Sequence, residues 1–480
     1  MVKKTPFIGR EEELRILQNA LTSNEAEMIA VIGRRRVGKT FLIEKAYQKH
    51  LIFSFTGIQN ATKKEQLQNF SLQLTEQSEA VFPLKEPKNW LEAFYLLITY
   101  LKSQIGAERK VIFLDELPWI ATPKSGFLRA LGFFWNSWAV KNNIVLVICG
   151  SAASWMIQKV VNHKGGLHNR ITRRIFLESF TLKETENYLK SRYIHFDRYH
   201  IAQLYMTLGG IPHYLKEIEG GLTATQNIDK ICFSKNGLLR EEFDRLYPSL
   251  FAHAEKHIAI IRALAEKWQG MTREELAKKA QLQNGGGLTT VLSELEHSGF
   301  ISVLHPFGKK KKNRLYRLTD EYSLFYLHFI ENKKREGKNT WNHLSQTAIY
   351  KAWSGYAFES ICLKHMNSIK KALDIAGIYS VSYSFYHKGN INQKGAQIDL
   401  LIDRNDQAIN LIECKFYKQT FSLSKSDVRK MQSRQAIFQE VSKTKKQLFW
   451  VLIAPFGLKH NQHSLGYIHK VLQLDDLFLL

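Results

Sequence analysis

The sequence predicts a multidomain α/β chain, and three observations carry that prediction. Short apolar runs near the N-terminus, "EMIAVIG" (27–33), "LIFSFTG" (51–57), "KVIFLDE" (110–116) and "NIVLVICGS" (143–151), alternate with helical patterns. Strands that are apolar almost throughout are buried on both faces, which requires a parallel sheet covered by helices on each side. A second alternation of helix and strand begins near residue 350, after a long helical stretch. At 480 residues the chain exceeds one typical domain, and about three or four are expected.

Taken in order, residues 1–178 hold the strand-rich core. Residues 179–254 turn helical and contain the breaker "LGGIPHYL". Residues 255–330 read as three helices, "KHIAIIRALAEKW", "TREELAKKA" and "LTTVLSELEHSG", followed by the basic hairpin "FISVLHPFGKKKKNRLYRLTD". The charged stretch "ENKKREGKNTWN" marks a linker over 331–349. Residues 350–480 form a separate α/β module. No internal repeat or extended low-complexity segment interrupts this order.

Hydrophobic residues make up 44% and aromatic residues 12% of the chain, enough for several packed cores and too much for wholesale disorder. A formal net charge of +24 favours a polyanionic partner, nucleic acid or an anionic membrane surface. Lysine clusters in DNA-reading positions favour nucleic acid, against a generally basic soluble protein. Cys149, Cys232, Cys362 and Cys414 are far apart and form no CxxC pair, so they read as reduced thiols rather than a zinc site or disulfide frame. The N-terminus is charged and lacks an apolar signal core, and no apolar run approaches the ~20 residues of a membrane span. A soluble, cytoplasmic protein is expected.

"GRRRVGKT", residues 33–40, fits GxxxxGK[ST] and lies between a strand and a helix. Across Gly33, Arg34, Arg35, Arg36, Val37 and Gly38, backbone N–H groups can curl around phosphates, with the helix N-terminus facing the anion. Lys39 can reach the β- and γ-phosphates of ATP, and Thr40 can ligate Mg²⁺. The run "VIFLDE" ends in two carboxylates. Asp115 would hold the magnesium and Glu116 would polarise the attacking water as general base. Ser151, at the tip of "VLVICGS", could sense the γ-phosphate or simply make a turn. "LHNRITRRI" offers Arg170, Arg173 and Arg174, one of them as a transition-state arginine; a solvated basic loop is the competing reading.

"PFIGREEELRIL", "GRRRVGKT", "FLDELPWI", "CGSAASWM" and "GGIPHYL", in this order, resemble the archaeal-type ATPases of the AAA+/STAND branch of P-loop proteins over about the first 250 residues. The resemblance implies that residues 7–11 lie near the adenine and that residues 209–212 belong to a helical lid reporting nucleotide state. It also implies homo-oligomeric assembly. The glycine usual before the arginine is Asn169 here, which leaves the role of Arg170 open.

Three helices followed by a hairpin match a winged helix, with the helix over 288–297 for the major groove and Lys309, Lys310, Lys311 and Lys312 for the DNA backbone. A protein-binding or regulatory module with a solubilising lysine tip is the alternative. "LYRLTDEYSLFYLHFI" resembles the segment leading to the DEXX-box ATPase C-terminal domain of the same family.

In "QIDLLIDRNDQAINLIECKF" (397–416), charged residues interrupt two apolar runs. Residues two apart on a strand share a face, so Glu413 and Lys415 point the same way. If the runs pair as a hairpin, Asp399 lies beside Glu413, and the two carboxylates would repel unless a divalent cation, Mg²⁺ or Mn²⁺, sat between them. Lys415 could then activate water or offset phosphate charge. This pattern resembles the PD-(D/E)xK nuclease core, a restriction-endonuclease-like α/β fold. The resemblance implies a further acid, Glu359, from the first helix and contacts from Arg429 and Gln432; Ile398 stands where the family often has proline. The alternative is a salt-bridged scaffold in which Lys415 neutralises Glu413.

Together these features predict an ATP-binding and ATP-hydrolysing protein that couples nucleotide state to DNA binding and Mg²⁺-dependent phosphodiester cleavage. The principal alternative is a STAND-type switch whose nuclease-like domain is a non-cutting platform for DNA or protein. A transcription regulator using only the winged helix is a third reading.

Overall fold

The computed structural model describes residues 7–479 except 80–82, 105, 107, 163–166, 168, 252, 309–313, 332–338 and 390–394, and at position 399 the backbone alone. The chain divides into two units, Gly9–Glu178 and a larger one comprising Ser179–Leu480 with the residues before Gly9.

In the first unit the strands β1 (Glu27–Ile32), β2 (Leu51–Thr56), β3 (Val111–Asp115), β4 (Val145–Gly150) and β5 (Arg173–Phe176) form one sheet in the order β2-β3-β4-β1-β5. Every pairing in it is parallel. Burial follows position in the sheet. The three central strands are buried at every residue, whereas the edge strands β2 and β5 alternate. Helices such as Lys63–Gln77 and Trp90–Gln104 cover the sheet, and Trp90, Phe55, Phe70 and Phe127 interlock at ring-centroid separations of 4.7–6.1 Å. The order leaves the C-terminal ends of β3, β4 and β1 side by side, the place where open parallel sheets bind ligands.

The second unit begins with short helices between Leu182 and Leu246. The helices Ala254–Glu266, Arg273–Lys279 and Gly286–His297 follow, with an antiparallel ribbon of β6 (Ile301–Leu304) and β7 (Leu315–Leu318). Its connecting turn, with Lys309, Lys310, Lys311 and Lys312, lies outside the described residues.

The stretch read as a polar linker departs from that expectation. Its described part carries a short helix, Thr340–Leu344, and buries Trp341 against Phe233, Phe325, Phe329 and Trp353. One large aromatic side chain outweighs the polar residues around it, because burying it removes far more apolar surface from water.

A long helix, Ala348–Lys364, leads into a mixed sheet. Its strands are β8 (Ser380–His387), β9 (Ala396–Arg404), β10 (Ala408–Cys414), β12 (Gln447–Ile453) and β14 (Lys470–Leu472), in the order β14-β12-β10-β9-β8. Two-residue strands β11 (Phe421–Ser422) and β13 (Leu458–Lys459) pair beside it. β8, β9 and β10 pair antiparallel, and β10, β12 and β14 parallel. The helix Lys425–Ser442, started by a Ser424–Asp427 capping box, packs its Met431, Ile437 and Phe438 into this sheet's core. Contacts within the unit tie the early helices to this sheet: the Tyr199 ring stacks on Phe416 at 4.9 Å, and the Leu182 N–H donates to His365 Nε2 at 2.9 Å. Among the described residues, no helix is long and apolar enough to cross a membrane.

Candidate functional site

The loop over residues 33–40 leaves the end of β1 and enters the helix Lys39–Tyr47. Gly33 is required by space, since a Cβ there would sit 2.4 Å from the Leu177 carbonyl oxygen. Gly38 is required by conformation, at φ +92°, and as N-cap it offers no side chain to the first turn. The helix N–H groups therefore remain for an anion. The buried Lys39 Nζ donates to the carbonyls of Gly33 (3.0 Å) and Arg34 (3.1 Å), curling back over the loop. Arg10, also buried, donates to the carbonyls of Val37 (3.4 Å) and Glu178 (2.7 Å), fixing the loop to the segment after β5. Of the remaining loop residues, Arg34 and Val37 are buried, and Arg35 and Arg36 half-buried.

Asp115 closes β3 and, among the described residues, is held by neutral donors. Its Oδ2 accepts from the Thr40 hydroxyl at 2.7 Å, and its Oδ1 from the Glu116 N–H (2.9 Å) and the Cys149 thiol (2.6 Å). Burial first, then the Asp115 charge, pushes the Cys149 thiol well above its ordinary pKa, so it stays a donor. Glu116 takes a left-handed backbone conformation, φ 52°, of the strained kind that concentrates at functional sites. Its Oε2 accepts from both the N–H (3.0 Å) and the hydroxyl (2.9 Å) of Ser151. Ser151 thus orients the carboxylate. Thr40 and Asp115 present hard oxygen atoms at the loop's edge, the donor set that suits Mg²⁺ bound with a nucleotide.

Of the arginines of residues 170–174, Arg173 is held toward the start of β1, away from the loop. Arg173 pairs with Ile29 in the β1–β5 register, and its guanidinium binds Glu27 at the start of β1 at 2.9 Å. Because β5 runs parallel to β1, residues preceding it lie at the end of the sheet opposite the loop. Arg170, three residues before Arg173, is exposed. Arg174 is exposed on β5.

In the second unit, β9 and β10 pair with Ile412 opposite Leu400. Glu413 and Asp399 are the next residues along that register; the side chain of Asp399 lies outside the described residues. Glu413 is partly buried and bound by two cations, Lys415 Nζ at 2.8 Å from Oε1 and Arg434 Nη1 at 2.8 Å from Oε2. Burial works to lower the Lys415 pKa, but the Glu413 carboxylate outweighs it and the ammonium is held above its ordinary value. Glu359, on the helix Ala348–Lys364, is bound at 3.3 Å by the buried Arg317 of β7, whose Nε also donates to Tyr356 Oη at 2.9 Å. Of the three acids expected to converge on a divalent cation, the two described, Glu359 and Glu413, are each paired with basic side chains. Among the described residues, no group of three or more acidic, histidine or cysteine side chains could hold a metal ion.

Residues 7–218 match the family described as an ATPase domain predominantly from Archaea. This stretch of the chain is similar to an archaeal-type ATPase domain. Two proteins of Methanocaldococcus jannaschii are similar in sequence. MJECL04 is 25% identical over 430 residues, covering 88% of this chain and 90% of its own length. The ATP-binding protein MJ0423 is 51% identical over 39 residues, covering 8% of this chain and 66% of its own. Among solved structures, the Walker-type ATPase PABY2304 of Pyrococcus abyssi matches 67% of this chain and 96% of its own at 17% identity and a TM-score of 0.48. The ORC2 protein of Aeropyrum pernix matches 72% and 98% at 14% identity and 0.43.

Within this ATPase domain, sequence reasoning missed Arg10, whose burial has no sequence signature. Outside it, Arg434 and Arg317 were missed. Helical periodicity could have found Arg434: it lies three residues after the buried Met431 and four before the buried Phe438, on the helix's inner face. Arg429 and Gln432, expected at the site, are exposed on the same helix.

Proposed function

We propose that this chain hydrolyses ATP and couples its nucleotide state to DNA binding by the second unit. The observation that carries the reading is the Glu116 carboxylate, which among the described residues has no cationic partner and is aimed by two neutral donors of Ser151 beside the Asp115–Thr40 pair. On ATP binding, Lys39 exchanges the carbonyls of Gly33 and Arg34 for phosphate oxygens. Glu116 takes a proton from the water that attacks the γ-phosphorus, and the bond to the β,γ-bridging oxygen breaks, giving ADP and phosphate. Thr40 and Asp115 would hold Mg²⁺, which would supply charge neutralisation on the phosphates. Glu116→Gln keeps ATP binding and loses turnover, whereas Lys39→Ala loses both; normal turnover in Glu116→Gln overturns the assignment.

DNA binding is supported by the net charge of +24 and by the helices and ribbon over 254–318, read as a winged helix. Thr289 and Thr290 are exposed on the helix Gly286–His297, in the position for a groove-entering element. Coupling is supported by the early helices sharing one unit with the C-terminal sheet, where Tyr199 stacks on the residue directly after Lys415.

Mg²⁺- or Mn²⁺-dependent cleavage by the C-terminal module is the second reading, favoured by the β9–β10 register, in which Glu413 and Asp399 directly follow the pair Ile412 and Leu400. The two cations on Glu413 favour a non-cutting platform instead. Incubation of plasmid and linear DNA with either metal, with and without ATP, separates them: cutting that stops in Glu413→Ala establishes the nuclease, and intact DNA throughout removes it.

A further inference from the structure

A cavity of about 830 Å³ lies within the second unit, next to the Glu413 cluster. Lys415 and Arg434 line it and also line the smaller pocket that Glu413 faces. Its walls combine three chemistries. Trp268, Phe416 and Tyr417 contribute aromatic rings, Lys351 and Lys418 exposed ammonium groups, and Gln269 an exposed amide. Among the described lining residues Glu359 is the one acid, and Arg317 already compensates it, so these surroundings favour an anion.

The rings are held in place before any ligand arrives. Trp268 stacks on Tyr356 with centroids 5.5 Å apart, and Phe416 on Tyr199 at 4.9 Å and 7°. A preset aromatic surface binds without the entropy cost of ordering it. Duplex DNA hides its base faces in the stack and offers only edges and phosphates, so a hollow lined by rings has little to offer it. An unstacked strand offers every base a ring to lie on and a phosphate for each ammonium. The volume lies in the ordinary range for a small-ligand site, about 300–1,000 Å³, which suits a few nucleotides rather than a double helix.

We propose that this cavity receives unstacked nucleotides of single-stranded DNA, with bases on Trp268 and Tyr417 and phosphates on Lys351 and Lys418. The proposal rests on the DNA-binding reading above and names the form of DNA that the C-terminal module takes. It holds whether or not the module cuts.

The test is fluorescence anisotropy of the full chain, without divalent metal, with a short labelled oligothymidylate and with a duplex of equal length. The single strand binds more tightly, and Tyr417→Ala or Trp268→Ala weakens it roughly ten- to hundredfold while duplex affinity holds. Tyr417 is half-exposed, so its truncation decides the matter if Trp268→Ala fails to fold. Unchanged single-strand affinity in Tyr417→Ala overturns the proposal. Binding of the duplex alone overturns it too and leaves the DNA-binding reading standing; binding of neither removes both.

Discussion

In the ATPase unit, the carboxylates of Asp115 and Glu116 rest against hydroxyl, thiol and amide donors. In the C-terminal module, Glu413 near the end of β10 rests against an ammonium and a guanidinium, and Glu359 on the helix Ala348–Lys364 against a buried guanidinium. Both sites put acids at or near strand ends, yet their electrostatics are opposite. Neutral donors orient a carboxylate without cancelling its charge, so it stays ready for a metal or a proton. Cationic partners cancel the charge, and a divalent ion arriving there must displace them. What partners an acid therefore tells more about its chemistry than the acid's presence in a motif.

The largest effect that could break this contrast is on turnover. Glu116→Gln should lower steady-state ATP hydrolysis by about 10²–10⁴, whereas Glu413→Gln should leave it at the wild-type rate. Equal losses in both would erase the distinction.

Acid should separate the two units next. Burial lowers the His365 pKa from 6.5 to about 4, since the ring is enclosed between the Leu182 N–H and the Ile361 carbonyl. The folded state disfavours the protonated ring, so stability is fully present above pH 6.5 and is lost as pH falls from 6.5 toward 4. The total loss is on the order of 3 kcal/mol. Circular dichroism melts across that range should show the unit containing His365 losing stability, with the loss reduced in His365→Gln.

A smaller change sharpens the role of neutral donors. Ser151→Ala keeps the backbone N–H on Glu116 and removes the hydroxyl, a loss of about 1 kcal/mol. ATP turnover should fall roughly fivefold, with nucleotide affinity retained in a binding titration.

The smallest effect converts one site toward the other. Arg434→Ala removes a cation from Glu413 and should let Mn²⁺ raise the melting temperature by about 2–4 °C in the absence of nucleotide. Wild-type protein should show no such shift.

The sequence shows the sheet of the ATPase unit best where burial is complete. β1, β3 and β4 are apolar runs because both faces are covered, and the phosphate loop, Asp115 and Glu116 stand at the ends of two of them. Trp341 in a charged stretch was not legible as core, because its partners come from three distant segments. At the C-terminal site the acids are visible but their partners are not. Arg434 and Arg317 are two among 68 basic residues, and only packing selects them. Arg173 reads as a candidate from the same local run as Arg170, and strand register sets it beside Ile29, toward the start of β1.

The most direct measurement is the number of Mn²⁺ ions bound per chain, by electron paramagnetic resonance titration with and without a non-hydrolysable ATP analogue. Acids held by neutral donors should bind one ion with the analogue, and the chain should bind none without it. An ion bound without nucleotide, and lost in Glu413→Gln, would contradict the account.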